Sequence, residues 1–163
     1  MPQRPYDETL LREAFEVAKR AREAGDHPFG ALLADRDGKV LRQQGNGYTS
    51  EGHDRTAHAE RLLASWAAKN LSLEELQACT LYTSAEPCAM CSGAIYWAGI
   101  GRVVFGQTER DLKAQTGAHE ENPTLDLPCH VISESGQRPT EVVGPLLQEE
   151  AAQLQADFWN SLA

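Results

Sequence analysis

Two short stretches carry residues that can do chemistry: His58-Ala59-Glu60 and Pro87-Cys88-Ala89-Met90-Cys91. Taken singly, neither decides anything. A Cys-x-x-Cys pair serves as a redox couple, as half of a zinc ribbon or as two buried thiols, and a lone histidine is commonly a hydrogen-bonded core residue. Together they make a more demanding pattern. Cys88 and Cys91 are three residues apart, so on a helix their sulfurs share a face and can hold one metal at about 2.3 Å each. Pro87 suits a first helical position, which puts both thiols at the positive end of the helix dipole, where a thiolate is favoured. His58 and Glu60 lie roughly 200° apart around a helix, so both can reach an ion only from its tip. We expect two helix starts to converge on one zinc ion, with His58, Cys88 and Cys91 as ligands and Glu60 unligated.

Three protein ligands leave a fourth position open, the pattern of catalytic rather than structural zinc. Zinc lowers the pKa of a coordinated water from about 15.7 towards about 7, and a neighbouring carboxylate can carry the proton to a ring nitrogen and then to a leaving amine. That chemistry is hydrolytic deamination. A closed site would need Cys79 or Cys129 as a fourth ligand. Cys79 begins an apolar strand, and Cys129, although beside His130, is flanked by Leu127, Pro128, Val131 and Ile132 like a buried strand start. Neither is expected to bind metal. A non-catalytic zinc-binding interaction module is the non-enzyme alternative, and Glu60 argues against it, because a structural site needs no acid beside its ligands.

The elements that must position these residues follow from periodicity. From Asp7 the apolar residues Leu10, Ala14, Val17, Ala18 and Ala21 share one helical face, and Gly25 ends that helix. Phe29 to Ala34 and Lys39 to Arg42 flank Asp35-Arg36-Asp37-Gly38 as a hairpin. A polar loop leads to a helix over Ala57 to Lys69 that begins at the histidine. Ser72 to Leu76 carries a capping pattern, Cys79 to Thr83 reads as a buried strand, and Pro87 opens a helix running to about Ala98. Arg102 to Phe105 is a further strand, and Gln107 to Pro128 a polar loop with one short helix. Cys129 to Ile132 reads as a last strand. A final helix runs from Leu147 to Trp159, with Leu147, Ala151, Leu154 and Phe158 on one stripe. This order implies an α/β fold with helices on both sides of a mixed sheet.

The 163 residues suit one domain, 1–163, and Lys plus Arg number 15 against 24 Asp plus Glu, a formal charge of -9. Such a balance supplies no basic face for nucleic-acid phosphates or anionic lipid. No stretch approaches the roughly 20 apolar residues of a membrane span, and the start, MPQRPY, shows no export signal. We expect a cytoplasmic protein whose four cysteines are thiols or metal ligands rather than disulfides.

From about Pro28 to Gly106 the phrases HPFGALLA, Gly45-Asn46, TAHAE, LYTSAEPCAMCSGAIYW and GRVVFG together resemble the zinc-dependent cytidine-deaminase-like superfamily, whose H-x-E and P-C-x-x-C signature is that of nucleobase deaminases. The resemblance implies a three-layer α/β/α sandwich around a five-stranded mixed sheet, zinc on His58, Cys88 and Cys91, and Glu60 as the proton shuttle. Within the superfamily the phrases are most similar to the bacterial guanine deaminases, which implies attack at C2 of guanine to give xanthine and ammonia. It further implies that Phe29 and Trp97 border a planar base, with Ala59 lining the pocket and Asn46 bonding the base's polar rim. Guanine presents N1-H and 2-amino donors, so its pocket wants a further acceptor, for which Glu120 and Glu121 are candidates. In that branch the carboxy-terminal segment, here about 146–163 with Phe158-Trp159, closes a pocket, commonly the partner's in a swapped homodimer. The tRNA adenosine deaminases are the strongest enzyme rival, since EPCAMCSGAI and GRVVFG resemble them too. A folded RNA calls for clustered Lys and Arg, and none occurs from Glu141 to Ala163. Cytosine, guanosine, aminated triazines and pterins remain open as small substrates.

Overall fold

The structure is a computed structural model that describes residues 3–117, 119–156 and 158–161. Its centre is a mixed sheet of five strands, β1 Gly30–Ala34, β2 Val40–Gly45, β3 Thr80–Ala85, β4 Arg102–Gln107 and β5 Glu141–Val143, in the order β2-β1-β3-β4-β5. β1 runs antiparallel to β2 and to β3, whereas β3, β4 and β5 are parallel. Period-2 alternation sends strand residues to opposite faces. Leu32, Tyr82 and Val104 meet α1 (Asp7–Glu23) and α7 (Gln148–Gln153), while Leu33, Leu81 and Val103 meet α2 (Ala59–Asn70), α3 (Leu73–Ala78) and α4 (Ala89–Ala98). The result is a three-layer α/β/α sandwich.

α1 buries all five residues of its expected stripe, Leu10, Ala14, Val17, Ala18 and Ala21. It lies so close to β1 that a Cβ on Gly30 would stand 2.3 Å from the backbone nitrogen of Ala18. A buried ion cluster ties α1 to the sheet. Arg102 donates to both Asp7 oxygens at 2.8 and 2.7 Å, and the Tyr82 hydroxyl donates to Asp7 Oδ1 at 2.6 Å. Burial opposes the charge on Asp7, but Arg102, the Arg4 amide and Tyr82 outweigh it and hold this carboxyl below the usual range.

Three expectations are corrected. Residues 129–132 belong not to a strand but to α6 (Cys129–Ser135), and the fifth strand comes later, at Glu141–Val143. The β-branched Val131 and Ile132 suggested a strand, yet Cys129 is the helix's one buried residue among them and its amide is capped by Glu86. The final helix is broken into α7 and α8 (Phe158–Ser161). Between them Gln155 turns inward, donating to the Pro28 carbonyl at 2.8 Å and accepting from Trp159 Nε1 at 2.7 Å. Positions 157, 162 and 163 of that segment, and Ala118 of the polar loop, lie outside the described residues. The third correction is Pro87. It precedes the helix, and Cys88 is the N-cap. Among the described residues no helix is long and apolar enough to cross a membrane.

Candidate active site

His58 is the N-cap of α2 and Cys88 the N-cap of α4, both with extended backbones that deliver their side chains beyond the helix tips. β1 and β3 hold the two tips together, because α2 and α4 pack side by side on one face of the sheet. His58 Nδ1 stands 3.6 Å from Cys88 Sγ and 3.6 Å from Cys91 Sγ. An ion with nitrogen at ~2.05 Å and sulfur at ~2.3 Å in tetrahedral array would put those atoms ~3.5 Å apart. Donor types and spacing therefore fit zinc, and these three form the one metal-sized cluster of His, Cys, Asp and Glu among the described residues. Cys79 and Cys129 are buried elsewhere as free thiols pushed upward by burial, Cys79 to about 11.

The electrostatics suit a cation. A hydrogen bond from Cys91 and the neighbouring His58 bring Cys88 down to about 4 despite burial, while Cys91 is pushed up by sharing its proton with Cys88. One thiolate is thus ready, and a divalent ion displaces the second proton. Burial opposes a proton on His58, but Cys88 and Glu60 outweigh it and raise its pKa. Glu60, in the first turn of α2, is outside the ligand cluster. Burial pushes its carboxyl up to about 7, the range in which a group can both take and give a proton.

Around this centre the structure gathers some of the sequence candidates and disperses others. Ala59 is fully buried between ligand and acid. The Asn46 amide donates to the Phe29 carbonyl at 2.9 Å, and Gly47 donates to Ala57, so both candidates sit beside the loop segment leading to His58. Asn46 Oδ1 accepts from the Tyr48 amide, leaving its NH2 group without a partner among the described residues. Trp159 is only 3% exposed, its ring 6.1 Å from Phe29 and 5.1 Å from His27 and from His119. The carboxy-terminal segment thus closes onto its own chain. Trp97, by contrast, is 79% exposed and has only Tyr96 against its ring among the described residues. Nine residues beyond Cys88 is roughly half a turn out of phase on a helix, and in the single chain Trp97 is not part of the core. Glu120 and Glu121 are both exposed, and Glu121 bonds His27 Nε2 at 2.9 Å beside the Trp159 ring.

Two carboxyls were not anticipated. Glu86 accepts from the amides of Glu109 and Cys129, at 2.9 and 2.8 Å, and so caps α5 (Glu109–Thr116) and α6 with one side chain. Glu109 is itself buried. Burial first, then the negative charges of Cys88 and Glu60, push its carboxyl up to about 9. Their signal lay in position, just past the carboxyl ends of adjacent parallel strands, where α/β proteins place ligands.

Residues 4–107 match the cytidine and deoxycytidylate deaminase zinc-binding region. The chain belongs to this zinc-dependent deaminase family. The deaminase is 41% identical over 154 residues to a probable cytosine deaminase of Schizosaccharomyces pombe, covering 94% of this chain and 93% of that one. It is 41% identical over 111 residues to the guanine deaminase of Bacillus subtilis, covering 68% and 69%. tRNA-specific adenosine deaminases are relatives too. Among solved structures, the guanine deaminase from Nitrosomonas europaea superposes with a TM-score of 0.78 at 28% identity, over 99% of this chain and 87% of that one. The deaminase is therefore a zinc enzyme that hydrolyses a C–N bond, and its relatives act on more than one class of substrate.

Proposed function

We propose that the protein deaminates guanine, with water as co-substrate and xanthine and ammonia as products. The observation that carries this reading is the aromatic cluster of His27, Phe29 and Trp159, with the Glu121 carboxylate bonded to His27 at its edge. A planar purine stacks on the face of such a ring, and its N1-H and 2-amino donors require such an acceptor. The NH2 of Asn46 supplies the complementary donor.

His58, Cys88 and Cys91 would hold the zinc, which supplies an activated water when bound. Glu60 takes a proton from the attacking water, passes it to N3 as the new C2–O bond forms, and delivers a second proton to the amino group as the C2–N bond breaks. Phe29 and Trp159 orient the ring, and the cover they provide excludes bulk water. Cytosine is the second reading, favoured by the 41% identity to the yeast protein over nearly the whole chain. Ammonia release from purified zinc protein offered guanine, cytosine, guanosine and tRNA is the deciding experiment. Guanine turning over fastest supports the proposal; editing of tRNA alone overturns it.

We further propose that the active species is a homodimer. Trp97, 79% exposed, and the half-exposed Leu73 are large apolar groups on the outer α3–α4 side, which a second copy would cover. The carboxy-terminal segment would remain on its own chain. Sedimentation should show a dimer, and Trp97→Glu should shift it to monomer.

A further inference from the structure

Glu109 has no role in the reading above, and its environment demands one. The parallel register pairs Ala85 with Gln107, the last residues of β3 and β4, and the Glu86 amide donates to the Gln107 carbonyl at 2.7 Å. The chain therefore leaves both strands in step: β3 continues through Glu86-Pro87 to the ligand Cys88, and β4 through Thr108 to Glu109. Glu86 then locks the two exits together by accepting the Glu109 amide at 2.9 Å. Parallel strands open their ligand crevice at this end.

The Glu109 side chain is 6% exposed, yet no described residue donates a hydrogen bond to its carboxyl or pairs with it. Its oxygens are absent from the buried atoms that lack both solvent and partner, so they keep a sliver of accessible surface. A buried carboxyl without a donor is costly, and stability gives no reason to keep one. Because Cys88 follows β3 as Glu109 follows β4, the register puts the start of α5 at the same strand ends as the metal ligand.

We propose that Glu109 contacts the substrate directly, accepting a hydrogen bond from an N–H or amino group on the polar edge of the base and so selecting bases that carry a donor there. The inference rests on the reading of a planar base as substrate, though not on which base. A donor-bearing base fills the valence that the protein leaves open. A base lacking that donor leaves the carbonyl oxygen of Glu109 unpaired, and sites of this kind discriminate by large factors.

The test uses the zinc-loaded full chain and whichever of guanine and cytosine the wild type turns over faster, with a set of its ring-N-methylated forms. Glu109→Leu should lower kcat/KM about 100-fold at unchanged zinc content, and Glu109→Gln, which keeps one acceptor, about tenfold. At least one methylated form should be handled about 100-fold worse than the parent base by the wild type, and within about threefold of it by Glu109→Leu. A purely structural residue would lower the melting temperature and leave that methyl discrimination intact, which would overturn the proposal. Should the leucine variant not fold, Glu109→Gln with kcat/KM and methyl discrimination equal to the wild type would overturn it equally. Turnover of cytosine but not guanine would sink the guanine reading while leaving Glu109 tested on cytosine; activity on tRNA alone would sink both.

Discussion

Glu60 shares the tip of α2 with the ligand His58, while Cys88 and Cys91 occupy the tip of α4, and the division of labour between acid and ligands makes separable predictions. Glu60→Gln should keep its zinc and lose turnover by ~10²–10⁴, the range typical of a removed general acid–base; metal analysis alongside initial rates checks both halves. His58→Ala should instead lose the metal, because one imidazole is a third of the ligand set. A chelator should abolish activity and added zinc restore it. At this scale the sequence was highly legible. The three ligands and the acid were readable because each must be one particular residue type at one particular spacing. Glu109 was not, because a glutamate after a strand is indistinguishable in sequence from a solvated one until burial is known.

At the scale of elements, the Asp7–Arg102–Tyr82 cluster is what pins α1 to the sheet. Asp7→Ala leaves Arg102 buried opposite an empty place and should cost ~3–5 kcal/mol, measured by urea unfolding. The sign with pH follows from the lowered Asp7 carboxyl. Its stabilisation is complete above the ordinary Asp pKa and is lost as pH falls through the lower folded value. The wild type should therefore weaken through the acid range with a slope that Asp7→Asn lacks. Gly30→Ala should also destabilise, because its Cβ would meet backbone of α1 that cannot move aside as a flexible side chain could. Most helices and four strands were legible from periodicity and caps. The exceptions, α6 and β5, are short, and what fixes them is a partner far away in sequence: Glu86 for the start of α6, and β4 for the register of β5.

Over the whole molecule, the carboxy-terminal segment folds back on the amino-terminal third as a roof over His27 and Phe29, held by Gln155 to Pro28 and Trp159 to Gln155. Trp159→Ala should open that roof, raising KM about tenfold with zinc content unchanged; unaltered KM in steady-state assays would remove the segment from the pocket. From sequence the last helix appeared continuous, since its apolar stripe is uninterrupted, and only the inward hydrogen bonds of Gln155 explain the break. The chain by itself determined the chemistry, the fold class and the sites of the two helix tips, because donor types, hydrophobic periods and capping residues are local properties. Which carboxyls stand buried and unpaired, that Trp97 faces outward, and that Trp159 packs on His27 and Phe29 of its own chain were decided by tertiary structure. Burial and partnership are relations between residues distant in sequence, and they exist only once the sheet has brought them together.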